Sequence, residues 1–210
     1  MRNQATDGVN RKRIISRRRA SIGVLATSGH LVASGLLALA LAGCASTPQN
    51  YDLTAAAAHA RLPRGTITVD VPTAATPLDG QLIVVREVDD RLASLGGAQW
   101  ADRLTALVQS RMIETFENAG LLRKMRPSGQ PADYRLVLAI RRFDIDAPQR
   151  LARVEIAVQL VSDGGQVRAA KIFSASEPVA EIAGAVPPLA LNAALGQVLP
   201  QIVAWAVAAS

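Results

Sequence analysis

Hydrophobic and polar residues alternate with a period of two in several segments of this chain, which is the pattern of half-buried β-strands. Residues 66–71 alternate in this way before Pro72, and residues 82–86 form a second apolar run. Residues 91–95 can pair with that run across a turn at residues 88–90. The pattern predicts two or three strands in this part of the chain.

Helical periodicity follows from Trp100 to about Asn118, where apolar residues recur at spacings of three and four. Gly120 suits the end of this helix, because glycine readily adopts the left-handed conformation that closes helices. The apolar positions form one stripe, which we expect to pack on a sheet. They are Trp100, Leu104, Leu107, Val108, Met112, Thr115 and Phe116.

Three further strands are predicted after this helix. Residues 133–146 contain a run that is apolar on both faces, as in a central strand. Residues 153–162 alternate cleanly, residues 162–166 have the composition of a hairpin turn, and residues 167–175 return antiparallel.

The last segment predicts a second helix, which begins at Pro187-Pro188 and contains no charged residue. A membrane-spanning helix is the alternative interpretation. Polar residues and a proline interrupt the segment, and alanine is its most frequent residue, so we favour a helix packed on the sheet with part of its outer face free for a partner. The interruptions are Asn192, Gln197, Pro200 and Gln201.

The order of these elements predicts a single α+β domain over residues 66–210, a mostly antiparallel sheet covered by two helices. Residues 44–65 contain Ser, Thr, Pro, Gly and an alanine run, and we expect them to form a flexible tether.

The N-terminal 43 residues have the layout of a secretion signal. Basic residues come first, residues 31–40 form a short apolar segment, and Leu41-Ala42-Gly43-Cys44 matches a lipobox. We expect cleavage before Cys44, which then carries diacylglycerol and an N-acyl chain. A buried cysteine is the alternative. Ser16-Arg17-Arg18 resembles a twin-arginine signal, but the residues that follow favour the general secretion route.

The predicted cleavage changes the charge of the protein. The whole chain carries a net charge of +6, from 23 basic and 17 acidic residues. Seven of the basic residues and one acidic residue lie in the signal, so the mature part has 16 of each and a net charge of zero. Nucleic acid is therefore not an expected partner.

Few residues of the mature part can carry catalysis or hold a metal. Cys44 is the only cysteine, so no internal disulfide can form. His30 lies in the signal and His59 in the predicted tether, so a catalytic triad or a histidine metal site lacks its imidazole. We expect no metal and no cofactor other than the covalent lipid.

Two carboxylate pairs remain as candidates for acid–base chemistry. Asp144 and Asp146 share one face of a predicted strand, and Asp89 and Asp90 lie in a predicted turn. A solvated strand end and a turn explain both pairs more simply. The glycine pairs of the chain are typical of turns rather than of a phosphate loop. We therefore predict that the protein is not an enzyme.

The motifs in their order resemble the ABC-type transport auxiliary lipoproteins, the family that includes paraquat-inducible protein C. The resemblance covers residues 44 to about 206. Besides the lipobox and the final helix it rests on Tyr51-Asp52-Leu53, Ile83-Val84-Val85-Arg86, Arg91-Leu92, Trp100-Ala101-Asp102-Arg103-Leu104, and Ala132-Asp133-Tyr134-Arg135-Leu136 through Phe143-Asp144.

The resemblance implies a periplasm-facing, non-enzymatic subunit of a system that moves lipids or other hydrophobic compounds across the envelope. Such systems pair an ABC transporter or permease with a protein that bears an MCE (mammalian cell entry) domain, which the lipoprotein would dock. Ala45 replaces the aspartate that favours inner-membrane retention, so we expect outer-membrane anchoring. The oligomeric state stays open, a homo-oligomer included.

Arg86 and Arg91 flank the loop that most resembles the family, and Trp100 follows it. Exposed arginine and tryptophan are common interface anchors, so we predict these three residues as the docking site. The alternative is that Trp100 lies in the core and that the arginines solvate a strand end.

Two other functions remain open at this point. The domain could itself carry a lipid between helices and sheet, although ordinary core stripes account for its apolar residues. It could also be a structural envelope lipoprotein that binds peptidoglycan or an assembly machine, since a protein-docking surface leaves no simple motif.

Overall fold

The computed structural model describes residues 47–210, so the predicted signal (residues 1–43) and the predicted lipidation site, Cys44, lie outside the described residues. The described chain forms nine strands and two helices. They are β1 (Gln49–Tyr51), β2 (Ile67–Val69), β3 (Thr73–Ala74), β4 (Leu82–Arg86), β5 (Leu92–Trp100), α1 (Leu104–Asn118), β6 (Met125–Arg126), β7 (Tyr134–Asp146), β8 (Leu151–Ser162), β9 (Val167–Pro178) and α2 (Val186–Ala209).

The sheet is built around β7. One edge of β7 pairs antiparallel with β8 along its whole length, and β8 pairs in the same way with β9. The other edge pairs in succession with β2, β3 and β4, all parallel. β5 pairs antiparallel with β4, β1 lies parallel to β5, and β6 lies parallel to β2. The predicted single α+β domain is confirmed, with a mixed sheet whose long strands are antiparallel.

The helices cover one face of this sheet. Alternate residues of β7 point toward them and are buried, among them Leu136, Leu138 and Ile145. Leu195 and Leu199 of α2 are fully buried against β7, β8 and β9. By length and composition α2 could cross a membrane, but half of its most apolar window is buried inside the domain. Its packing is that of a core helix, as predicted.

Helix α1 begins four residues later than predicted. Trp100 is the last residue of β5 rather than the first of the helix, and residues 101–103 form a bend before Leu104. The Leu104 backbone N–H donates to the Gly80 carbonyl at 2.9 Å, which starts the helix at that position. The helical spacing of Trp100 was misleading, because one residue at the end of a strand can match the next helix by chance.

The predicted tether is wrong for most of its length, because the sequence around Leu53 is part of the domain. β1 pairs with β5 in register Gln49 to Ala98, and Leu53 is only 1% exposed. The Thr54 backbone N–H donates to Asn192 Oδ1 of α2 at 2.8 Å. The small side chains of the alanine run allow this segment to lie close to the helices. The folded domain therefore begins at Gln49, not at residue 66.

Strand directions define two ends of the sheet. At the amino end, where β7 begins, β2 and β6 also begin and the last turn of α2 lies beside residues 59–64. At the carboxyl end, where β7 finishes, lie the β4–β5 turn (residues 87–91) and the β7–β8 turn (residues 147–150). The predicted docking arginines belong to the carboxyl end.

Candidate docking surface

The parallel pairing of β4 with β7 brings Arg86 to a buried carboxylate. Val84 lies beside Asp144 and Arg86 beside Asp146 in the register of the two strands. Arg86 Nε donates to Asp144 Oδ2 at 3.3 Å, and Arg86 Nη1 donates to Asp90 Oδ1 at the same distance. Asp144 is 1% exposed although it lies on the face without helices, because arginines cover it.

Two more arginines complete this network. Arg142 donates to both oxygens of Asp144, at 3.1 Å from Nε and 2.7 Å from Nη2. Arg153 Nε donates to Asp146 Oδ2 at 3.1 Å, and Arg142 Nη2 lies 3.6 Å from the same oxygen. The Gln149 backbone N–H donates to Asp146 Oδ1 at 3.1 Å. Each carboxylate is thus held by at least two donors.

The hydrogen bonds of this network occupy the oxygens of Asp144 and Asp146, which disfavours a role for them in acid–base catalysis. Hydrogen bonds to Asp144 raise the pKa of Arg142 above its usual value, the charges of both aspartates add to this, and partial burial opposes it. A guanidinium held in this way stays charged and contacts both oxygens of Asp144. The geometry favours the structural interpretation of Asp144 and Asp146 over acid–base catalysis.

The β4–β5 turn presents the exposed part of the carboxyl end. Arg91 is 73% exposed and pairs with Glu87 at 3.1 Å. Asp89 and Asp90 have φ values of 61° and 58°, which fits the predicted turn, since aspartate tolerates the left-handed region better than most residues. Val88 is 61% exposed, and Leu92, four residues later, is 44% exposed. This turn combines a charged and an apolar group on one accessible surface.

Trp100 does not belong to this surface. It is 1% exposed, and its ring packs edge-to-face on Phe143 with centroids 5.7 Å apart. Its prediction as a docking residue is therefore corrected, because a ring enclosed by the core cannot contact a partner. Arg86 is intermediate: it is partly exposed, but its guanidinium is bound to Asp144. Of the three predicted residues, only Arg91 is fully accessible.

Sequence reasoning missed Arg142 and Arg153. The sequence contained part of the information, because Arg142, Asp144 and Asp146 fall on alternate residues of one strand. In the structure Asp144 pairs in register with Arg153. That register depends on the β7–β8 hairpin and on a shift between Ile140 and Arg142, which alternation alone does not reveal. Within residues 47–210 there is no group of three or more His, Cys, Asp and Glu that could hold a metal ion.

Comparison with known proteins identifies the family. A profile described as the ABC-type transport auxiliary lipoprotein component matches residues 51–203, which is nearly all of the described domain. The chain belongs to this family of ABC-type transport auxiliary lipoproteins. The family is thus that of an accessory component of an ABC-type transport system in the cell envelope, and the resemblance seen in the sequence is confirmed.

Relatives of this auxiliary lipoprotein support the assignment. An uncharacterised protein of Bradyrhizobium diazoefficiens is 32% identical over 192 residues, which covers 89% of this chain and 50% of that protein. The chain thus spans about half the length of this relative. The crystal structure of a Xanthomonas campestris protein is similar with a TM-score of 0.68 and 27% identity, over 77% of this chain and 96% of that one. A second, uncharacterised structure shares the fold, with a TM-score of 0.59 at 15% identity.

Proposed function

We propose that this auxiliary lipoprotein is anchored in the outer membrane, faces the periplasm and docks an MCE-domain assembly. The assembly belongs to an ABC transporter or permease system that moves lipids or other hydrophobic compounds across the envelope. The lipoprotein performs no chemistry of its own in this role. It holds the partner in place.

One observation carries the proposal: the family match begins at residue 51, seven residues after the cysteine of a lipobox. A leader with basic residues and a short apolar segment precedes that cysteine. In the proposal Cys44 carries diacylglycerol and an N-acyl chain. Ala45 lacks the carboxylate that favours inner-membrane retention, which supports the outer membrane.

The β4–β5 turn is the docking element that the predicted residues favour. Arg91, Val88 and Leu92 are exposed there, and arginine is enriched among the residues that anchor interfaces. The ion pairs of Arg86 with Asp144 and Asp90 keep the start of the turn attached to β7. In this proposal Arg91 contacts the partner and Arg86 positions the turn.

Affinity purification of the full-length protein from gently solubilised envelopes tests the proposal. We expect stoichiometric recovery of an MCE-domain protein together with ABC or permease subunits, identified by mass spectrometry. The Cys44→Ala variant should lose membrane attachment, which fractionation measures directly. Recovery of the bait alone, or of outer-membrane assembly proteins, would remove the docking role and favour a structural envelope lipoprotein.

The docking element needs a variant that leaves the domain folded. Arg91→Glu reverses a fully accessible charge and should reduce co-purification of the partner at least about tenfold. Arg103→Glu is the matched control, because Arg103 is 63% exposed, is paired with Asp79 at 2.8 Å and lies in the bend before α1. Equal recovery by Arg91→Glu and wild type would show that the turn does not dock the partner.

A further inference from the structure

The amino end of the sheet carries a cluster of cations that the docking prediction did not use. Ile67 of β2 lies in register with Met125 of β6 and Tyr134 of β7, so the residues before and at the start of these strands lie near one another. We call this cluster the basic end. It consists of Arg61, Arg64, Arg123, Lys124 and Arg126.

The cations of the basic end have no ion-pair partners in the part of the chain that the structure describes. None of the five has a carboxylate oxygen within 4.0 Å, whereas Arg86, Arg142 and Arg153 at the other end are all paired. Asp133 lies near Lys124 and its charge interacts with it at longer range, while its Oδ2 accepts hydrogen bonds from the Thr66 N–H at 2.7 Å and the Thr66 hydroxyl at 2.8 Å. Because the mature part has no net charge, the excess of positive charge at the basic end is a local feature of the domain.

A groove of about 520 Å³ lies beside Arg61 and Arg64. Its floor is apolar and comes from Ala204, Val207 and Ala208 in the last turns of α2. Its other side is formed by residues 59–64, and Leu62 there is 71% exposed. An accessible leucine beside unpaired arginines and an apolar floor fits a ligand that is both acidic and aliphatic.

The end of helix α2 accounts for only part of this charge. Ser210 lines the groove, and the carbonyl end of a helix attracts cations. That attraction corresponds to roughly half an elementary charge and fades within one turn. Five cations exceed what one helix end can balance, so the basic end presents an excess of positive charge to solvent, to which an anionic ligand is complementary.

Gln49, the first strand residue after the proposed anchor, lies far from the basic end. Only four residues lie between Cys44 and Gln49, which limits the separation of these two residues to about 18 Å. Gln49 pairs with Ala98 of β5. The pairing of β5 with β4, and of β4 with β7, places Ala98 level with Phe143 of β7. From there the start of β7 is nine residues away, about 30 Å along the strand. A lipid on Cys44 would therefore lie at least about 12 Å from the start of β7.

From this arrangement we propose that the basic end docks an acidic polypeptide segment of a protein partner, with one aliphatic side chain of that segment seated in the groove against Val207. The inference rests on the proposed function only for the lipid on Cys44 and for the existence of a protein partner. The distance from the anchor favours a protein over the surface of the anchoring membrane. The basic end is a second surface, separate from the β4–β5 turn.

The test uses the full-length lipidated protein in phosphatidylcholine nanodiscs. The probe is a short fluorescent peptide of glutamates with one central leucine, and binding is followed by fluorescence anisotropy. We expect binding that weakens as salt is raised, and a loss of at least about tenfold in affinity when Arg61→Glu and Arg64→Glu are combined. Replacing the leucine of the peptide by glycine should weaken binding further if the groove is used.

The matched control combines Arg103→Glu with Arg141→Glu, two exposed and ion-paired arginines away from the basic end. It changes the net charge by the same amount and should leave peptide affinity nearly unchanged. Equal losses in both double variants, or no peptide binding by the wild type, would overturn the proposal. So would capture of phosphatidylglycerol vesicles, without peptide binding, through Arg61 and Arg64. This assay needs no transporter subunits, so its failure and the failure of the proposed function are told apart.

Discussion

At the scale of single residues, the carboxyl end of the sheet depends on how Asp144 is paired. A buried carboxylate is costly unless its charge and its hydrogen-bonding capacity are both satisfied. Arg142 supplies a two-point contact and Arg86 a third donor, so the chain can hold Asp144 beneath them. The same arginines lie partly at the surface, where water shares in solvating them.

Removing that carboxylate should be costly. Asp144→Ala leaves Arg86 and Arg142 without their main partner, and we expect it to lower the free energy of unfolding by about 2–3 kcal/mol. Asp90→Ala removes the exposed partner of the same Arg86, since Asp90 is 87% exposed, and should cost less than about 0.5 kcal/mol. Urea titrations of both variants measure the difference. Similar small losses for the two would show that the network is unimportant for stability.

Asp133 is the residue whose titration should affect stability. Hydrogen bonds from the Thr66 backbone and hydroxyl lower the pKa of Asp133 below its usual 3.8, and the charge of Lys124 contributes. Because the folded pKa is depressed, the stabilisation is fully present above about pH 4 and is lost as pH falls through the folded pKa. Melting temperatures of wild type and Asp133→Asn should therefore differ at neutral pH and converge in acid. A difference that persisted at low pH would contradict this.

At the scale of elements, the long strands and helices were predictable because the pattern of apolar and polar residues repeats several times within each of them. β7, β8, the turn at residues 162–166 and α2 each contain enough positions for alternation or helical spacing to be read. β1, β3 and β6 contain two or three residues each, too few for any period. Their strand conformation is set by neighbouring strands, which the local sequence does not encode.

The same limit explains which site residues could be found. Arg86 and Arg91 were visible as charges beside a turn, whereas the pairing of Arg142 and Arg153 required a register. Trp100 was assigned to the wrong element and therefore to the wrong environment. The basic end joins residues before β2 and β6, which lie about sixty positions apart in sequence and meet only through parallel pairing.

The N-terminal segment gives the clearest test at this scale. Leu53 lies in the core at 1% exposure, whereas Leu62, nine residues later, is 71% exposed. Leu53→Ala should lower the free energy of unfolding by about 2–4 kcal/mol, and Leu62→Ala by less than about 0.5 kcal/mol. Chemical denaturation measures both. If the two variants were equally stable, residues 49–60 would be a tether after all.

At the scale of the whole molecule, charge is balanced in number but not in position. The leader carries the excess that gives the full chain a net charge of +6, and the part after it has none. Within residues 47–210 Arg86, Arg142 and Arg153 are ion-paired at the carboxyl end, whereas the five cations of the basic end have no carboxylate within 4.0 Å. Uneven placement of this kind orients an approaching partner without requiring a net charge.

The edge position of β1 also governs how the domain responds to mechanical force. In the proposed arrangement, tension between a lipid anchor that precedes Gln49 and a partner at the basic end would pull Gln49–Tyr51 along its own axis. The β1–β5 hydrogen bonds lie across that axis, so they would be strained together in shear rather than opened one by one. The Asp52–Arg111 ion pair and buried Leu53 follow directly and would share the pull. The lifetime of the folded domain under tension is then set by the unfolding rate of this first segment rather than by the free energy of unfolding of the whole sheet.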